Sequence, residues 1–174
     1  MSQRDAFFAL DIKAVGKAIE IVEKWNAEKY TAPTIWVNKA ALWHFDSGYR
    51  EGEPVLVEPF IENFEKFNSN TGWARNAEGW PALLQALSHC SYHITGGHFI
   101  LCDLQGGIYD KAIVLTDPVI LSRTKAYGIT DLGPSGMSSF FNVHQCNKWC
   151  KADWTKPANT GRYFAPTKST TMQL

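Results

Sequence analysis

The run His144-Gln145-Cys146-Asn147-Lys148-Trp149-Cys150 carries side chains that can hold a metal. Cys146 and Cys150 are four residues apart, so on a helix their sulfurs project from one face. His144 precedes them by two residues and can close the site from the preceding turn. Zinc takes four N or S ligands in a tetrahedron, and a site closed by four protein ligands is structural. The fourth ligand must come from elsewhere, and His89 in Ser88-His89-Cys90 is the best candidate, with His93 and His98 as rivals. Such a site ties two distant segments together and leaves no open position for a catalytic water, which disfavours a zinc hydrolase. Two core cysteines beside a surface histidine are the plainer alternative.

A second constellation lies between those segments. Residues 99–107 read Phe-Ile-Leu-Cys-Asp-Leu-Gln-Gly-Gly, an apolar strand running out into Asp103 and Gln105. Residues two apart at a strand end point to one side. Asp117 follows a second short apolar run, Ala112 to Leu115, and Pro118 stops that strand. Two carboxylates and an amide oxygen are hard ligands, suited to a magnesium ion that also binds substrate phosphates. Asp-Leu-Gln-Gly and Thr-Asp-Pro are also ordinary turn sequences, so composition alone leaves both readings open.

The order of the pieces carries further information. The chain reads Val57-Glu58-Pro59-Phe60-Ile61, then Lys66-Phe67-Asn68-Ser69-Asn70, then Ala86-Leu87-Ser88-His89. Cys102-Asp103-Leu104-Gln105-Gly106, Leu115-Thr116-Asp117-Pro118, Asp131-Leu132-Gly133-Pro134-Ser135-Gly136, Phe140-Phe141 and the His144 to Cys150 run follow. From about Asp11 to about Lys151 this series resembles the atypical alpha-kinase family, the group of myosin heavy-chain, elongation-factor-2 and channel kinases. The resemblance implies an α+β, protein-kinase-like two-lobed fold with an incomplete N-terminal lobe and a zinc-stabilised C-terminal lobe. It implies a kinase domain over residues 1–151 and an extended tail over residues 152–174.

It also implies roles. Asp103 matches the aspartate that orients or deprotonates the acceptor hydroxyl. Gln105 and Asp117 match a metal-binding pair, and Asn70 a loop asparagine near the phosphates and metal. Glu58 and Phe60 match the hinge that meets adenine. Gly128, Asp131, Gly133 and Gly136 fall in a glycine-rich loop facing the peptide substrate. His89, His144, Cys146 and Cys150 match the structural zinc ligands. The implied reaction transfers the γ-phosphoryl group of Mg2+-bound ATP to serine or threonine of a protein, with zinc as a structural ion. The physics suits those roles, because phosphoryl transfer asks mainly for positioning and charge neutralisation.

Three departures from the family pattern stand out. The resemblance places a phosphate-pairing lysine on an early strand upstream of Asp11, yet only residues 1–10 precede it and no lysine occurs before Lys13. The sequence therefore reads as an alpha-kinase domain without the first strands of its nucleotide lobe, with Lys13, Lys17 and Lys39 as surface lysines. The alternative reading of function is a catalytically inactive, zinc-stabilised remnant that acts as a binding module. The link from Asp103 to Asp117 is lengthened around Ile108 to Lys111, which makes Asp110 a rival of Asp117. Asp131 stands where the pattern carries asparagine, a swap that adds charge beside the glycine loop.

Composition bounds the remaining classes. A length of 174 residues suffices for one domain with a proper core. Hydrophobic residues at 45% and aromatics at 13% indicate a globular chain. A net charge of zero gives no electrostatic support for a nucleic-acid or anionic-membrane partner. No apolar run approaches membrane-spanning length, and the N-terminus lacks a signal pattern. Cys90 and Cys102, unpaired if zinc takes the others, suit a reducing, cytoplasmic setting.

Periodicity places the elements that must position these residues. Val15, Ile19, Val22 and Trp25 recur at helical spacing, predicting a helix over 14–27. Strands are expected over 34–37, 40–45 and 54–61, with a polar turn over 48–54. A helix is expected over 80–89. Strands over 98–103 and 112–115 are expected to form a hairpin. A helix over 137–150 is expected to carry Phe140, Phe141 and the zinc ligands. From Asp153 on, prolines, Gly161 and a Ser/Thr-rich end suggest an extended tail, with Thr167, Ser169, Thr170 and Thr171 as conceivable phosphoacceptors.

Overall fold

The computed structural model describes residues 8–28, 33–76 and 78–173, so residues 1–7, on which part of the missing-strand expectation falls, lie outside the described residues. Helix α1 spans Ala9–Ala27 and buries Ala14, Val15, Ala18, Ile21, Val22 and Trp25 along one stripe. That i, i+3/i+4 stripe is the spacing read from the sequence, and it packs against two strands, β1 (Thr34–Val37) and β8 (Val119–Ser122). Asn26 fixes the joint: its amide donates to the Ile35 carbonyl and accepts from the Ile35 amide.

Strands β2 (Ala41–His44) and β3 (Pro54–Val57) form an antiparallel hairpin whose residues are at best half-buried. β3 stops at Val57, four residues short of expectation, because Glu58 to Phe60 turn away without ladder partners. Short β4 (Glu65–Lys66) joins β6 (Gln105–Ile108), β7 (Ala112–Thr116) and β1 in one sheet of order β1-β7-β6-β4. β1 and β7 run parallel and the other pairs antiparallel.

The expected hairpin is not the one that forms. β5 (Phe99–Cys102) pairs with β8, while β7 pairs with β6. The lengthened link around Ile108 to Lys111 is the tip of the β6–β7 hairpin, closed by the Tyr109 amide donating to the Ala112 carbonyl at 2.8 Å. Asp110 sits exposed at that tip, at the opposite end of β6 from Gln105, so it is no rival of Asp117. Gly106 occupies φ +151, and a Cβ there would lie 1.9 Å from the Val114 carbonyl oxygen, so only glycine fits this close approach.

Helix α2 (Trp80–Ile94) buries residues on nearly every side and packs on β5, forming the centre of the molecule. It runs five residues beyond the expected end, which places His93 in its last turn. Helix α3 (Gly133–Val143) packs on β8 and ends before the cysteines: His144 has φ −65 and ψ 123, an extended conformation. The expected helix through Cys150 is therefore wrong, and the ligand run is a loop. Among the described residues no helix is long and apolar enough to cross a membrane. All four cysteines are described and none is in a disulfide.

The segment after residue 151 is extended, but it is docked along its length. Trp154 is buried between Trp25 and His89, with ring centroids 6.2 and 5.3 Å away. The Ser139 hydroxyl accepts from the amides of Tyr163 and Phe164.

Asp131 locks β8, the following loop and α3 together. Its buried carboxylate accepts from the Ser122 amide (2.8 Å), the Ser122 hydroxyl (2.5 Å), the Tyr127 amide (3.3 Å) and the Gly133 amide (3.0 Å). The charge expected to face a peptide is thus spent inside the fold, because a carboxylate this buried needs its lone pairs filled. Asp131→Ala would leave buried donors without an acceptor and is expected to lower unfolding free energy by about 3 kcal/mol. Urea denaturation of the two proteins measures this.

Candidate active site and metal centre

The chain switches sheets twice, and the two switches lie side by side. Between β5 and β6 it leaves the β5–β8 pair for the four-stranded sheet at Asp103-Leu104; between β7 and β8 it returns at Asp117-Pro118. Both switch residues adopt left-handed backbone, Asp103 at φ +58 and Asp117 at φ +45. Aspartate tolerates this conformation better than most residues, yet it still costs energy, and such strain collects at functional sites. Asp103 and Gln105 were expected to share a face by strand alternation; the left-handed turn at Asp103 breaks that alternation. Gln105 meets Asp117 instead: its side-chain amide donates to the Asp117 carbonyl at 3.2 Å and to Oδ2 at 3.3 Å.

The turn at Asp103 is held from the segment after β4. The Phe67 and Asn68 amides both donate to the Leu104 carbonyl, and the Asn68 side-chain oxygen accepts from the Leu104 amide at 2.8 Å. The other end of the Asn68 amide donates to the Ser88 hydroxyl on α2. Asp103 is 1% exposed. Lys66 Nζ lies 2.9 Å from its carboxylate oxygens, and the Asn70 backbone amide donates to Oδ1 at 3.3 Å. Lys66 stands in the motif quoted from the sequence, but with no role assigned. Its position one residue before the buried Phe67-Asn68 pair was the signal that could have found it.

Around Asp117 the carboxylates are only partly compensated, by Lys66 and Gln105 at Asp117 and by Asn38 at Glu58. Burial first, and then the charge of Asp103, push the Asp117 carboxyl above its ordinary value. Burial and then Asp117 raise Glu58 in the same way, and Asp11 likewise. The meeting side chains of Gln105 and Asp117, with Glu58 near enough to feel the Asp117 charge, offer oxygen ligands of the type a hard divalent cation takes, although among the described residues only the His/Cys group gathers its ligand atoms closely. Asn70 is buried and near, but its side chain is committed elsewhere: it donates to the carbonyls of Thr130 and Thr171 and accepts from the Thr171 amide. Phe60 is 89% exposed. Lys13 donates to the Ala126 carbonyl and Lys17 pairs with Glu20, so neither serves this cluster.

The expected substrate loop divides. Gly128 lies in a loop with φ +87, where it lines an open cavity with Ile129. Gly133 and Gly136 belong to α3, and Gly136 packs under Leu121 and Leu132. They shape the helix rather than a substrate-facing surface.

The four metal candidates converge although their loop is not helical. One ligand atom from each of His89, His144, Cys146 and Cys150 lies within 4.8 Å of the others. Cys146 Sγ is 3.5 Å from His89 Nδ1 and 3.9 Å from His144 Nε2, and Cys150 Sγ is 3.8 Å from His144 Nε2. Ligands about 2.0–2.3 Å from a tetrahedral zinc stand roughly 3.3–3.8 Å apart, so the residues fit the ion. His89 Nε2 lies 3.1 Å from the Thr155 carbonyl, which makes that nitrogen the donor and leaves Nδ1 free to bind metal. Burial, and then the neighbouring His89, hold His144 down to about 3, so it stays neutral as a ligand must. Burial pushes the Cys150 thiol up to about 11, a cost that a divalent cation would reverse. His93 is no rival: its Nδ1 accepts from the Thr155 amide.

Comparison with known proteins places the chain. A family model described as the alpha-kinase family matches residues 1–150. The chain is 32% identical over 152 residues to human eukaryotic elongation factor 2 kinase, covering 86% of this chain and 20% of that protein. It superposes on an alpha kinase from Entamoeba histolytica with TM-score 0.77 at 22% identity, covering 99% of this chain and 72% of the other, a likeness of fold. The alpha-kinase domain of myosin-II heavy chain kinase A in complex with AMP-PNP gives TM-score 0.70 at 27% identity, covering 89% and 60%. The chain spans only 10–20% of the length of the first curated relatives it matches. With a family model covering most of its length, the chain belongs to the alpha-kinase family.

Proposed function

We propose that this chain is the catalytic part of a protein serine/threonine kinase that transfers the γ-phosphoryl group of ATP, with magnesium, to a protein hydroxyl. The observation that carries the reading is the buried Asp103 carboxylate, paired with Lys66 and set beside Gln105 and Asp117 at two strained sheet switches. Asp103 would accept the hydrogen bond of the attacking hydroxyl, align its oxygen and take its proton late in the transfer. Lys66 would hold that carboxylate in place. Gln105 and Asp117 would hold the magnesium, with Glu58 and Asn70 close by. The ion would neutralise charge on the phosphates. Glu58 and Phe60 would border adenine; the AMP-PNP complex of the related kinase domain supports a nucleotide on this fold. Gly128 and Ile129 would border the protein substrate.

We assign a structural zinc to His89, His144, Cys146 and Cys150. It would clamp α2 to the loop after α3, and so brace both elements that carry the catalytic segments. The inactive-remnant reading draws on Lys13 and Lys17 being engaged away from the carboxylates.

Asp103→Asn keeps the shape of the side chain and removes the base. It is expected to lower the phosphorylation rate of a threonine protein substrate about 100-fold or more, and to lower the melting temperature by several degrees because the Lys66 ammonium loses its buried counter-charge. A radiolabelled ATP assay beside a thermal melt checks both, and equal rates in the two proteins would sink the assignment. Elemental analysis is expected to find about one zinc per chain. Removing it with a chelator is expected to lower the melting temperature by roughly 10 °C or more, since metal-binding energy is folding energy. An unchanged melt after verified metal loss would argue against the clamp.

A further inference from the structure

The C-terminal segment runs through the candidate active site. The Thr170 hydroxyl donates to Asp103 Oδ2 at 2.5 Å and accepts from Lys66 Nζ at 2.9 Å. One residue on, the Asn70 side chain grips the backbone of Thr171 at both its amide (2.9 Å) and its carbonyl (2.7 Å). Three residues before the hydroxyl, the Thr167 amide donates to the Thr71 hydroxyl at 3.0 Å. Three residues after it, the Gln173 amide donates to the Ile129 carbonyl at 2.8 Å.

These contacts are what an extended acceptor peptide requires. A hydroxyl meets the buried carboxylate, and the flanking backbone is held by donors and acceptors that ignore side-chain identity. Side chains are read as well: Lys168 lies over the Trp73 ring with 5.9 Å from Nζ to the centroid, and Gln173 Oε1 accepts from Lys125 Nζ at 2.8 Å. A loose polar terminus would lie in solvent; this one fills hydrogen-bonding groups that would otherwise face the cleft empty.

We propose that residues 167–173 occupy the acceptor-peptide site in cis and that Thr170 is a phosphoacceptor of this domain, an inference that rests on the kinase reading above. In the transfer, the bond from Thr170 Oγ1 to the γ-phosphorus forms as the bond from that phosphorus to the bridging oxygen of ATP breaks. ADP leaves, and the hydroxyl proton passes to Asp103. Once Asp103 releases that proton to solvent, the product would set a phosphate dianion against the Asp103 carboxylate with Lys66 as their shared cation, and repulsion would drive the segment out. Until then the segment excludes other peptides. The same contacts define the preferred external substrate as an extended threonine segment with a basic residue two positions before the acceptor.

The test uses the full chain in two measurements. The first is amide hydrogen exchange, read by NMR at Thr167, Thr171 and Gln173, and needs no catalysis. The three amides are expected to be protected in the native chain and in Thr170→Ser. In Thr170→Glu, where two carboxylates would meet, they are expected to exchange about tenfold faster or more. Equal exchange in the native chain and Thr170→Glu overturns the occupancy, whatever the activity. In the second, the chain is incubated with Mg-ATP and an added threonine peptide, and phosphates are mapped by mass spectrometry. Phosphate on Thr170, at a rate independent of protein concentration, supports the proposal. Phosphate elsewhere with Thr170 bare overturns the acceptor assignment and leaves the kinase reading standing. No phosphate on chain or peptide removes the kinase reading for this chain, and the acceptor role with it.

Discussion

A carboxylate with almost no access to water is the constraint around which this fold is arranged. An ionised group in such a place is tolerated only when cations and donors replace its hydration. Asp103 receives an ammonium from Lys66, a backbone amide from Asn70 and a hydroxyl from Thr170. Each of these comes from a different part of the chain, so satisfying one charge brings β4, the loop after it and the C-terminal segment to a single point. On the proposed kinase reading, the same burial would suit the group to phosphoryl transfer. A dry, oriented carboxylate acts on a hydroxyl more strongly than a solvated one, because its partners need no rearrangement.

Two further polar clusters carry the load that this arrangement places on the scaffold. Asp131 fastens β8 to the start of α3 through four donors, and the His/Cys cluster meets the other end of α3 and the middle of α2. Between them runs an aromatic seam of His89, Phe141, His144 and Trp154, with ring centroids 5.0–6.0 Å apart where they touch. The strands that end at Asp103 and Asp117 lie on this braced unit. The β2–β3 hairpin, with Trp43 61% exposed, lies off it and contributes little to the described core.

Local pattern made some of this legible and not the rest. Helix α1 was readable because its apolar stripe is a property of neighbouring residues, and the observed helix buries that stripe. The β-pairing was misread because an apolar run does not say which other run it will join; β5 and β7 are close in sequence but belong to different sheets. The loop carrying Cys146 and Cys150 was misread as helix from its i, i+4 spacing, yet its ligands still converge on His89. The family resemblance puts Asp131 in a substrate-facing loop, and its hydrogen bonds put it inside. No local pattern ties Lys66 or Thr170 to Asp103, since their meetings with it span 37 and 67 residues of chain.

What the sequence determined by itself is therefore the inventory and its order: the family, the helical stripe of α1, the metal-ligating residue types, and the carboxylates with their amide partner. These depend on residue chemistry and on spacings of a few residues, which local geometry converts directly into direction. Tertiary structure alone decided which strands pair, that both aspartates sit at left-handed switches between sheets, and that the C-terminal segment lies on Asp103. Those outcomes depend on long-range closure. The burial of one charge there selects partners from across the chain, and no local periodicity records that selection.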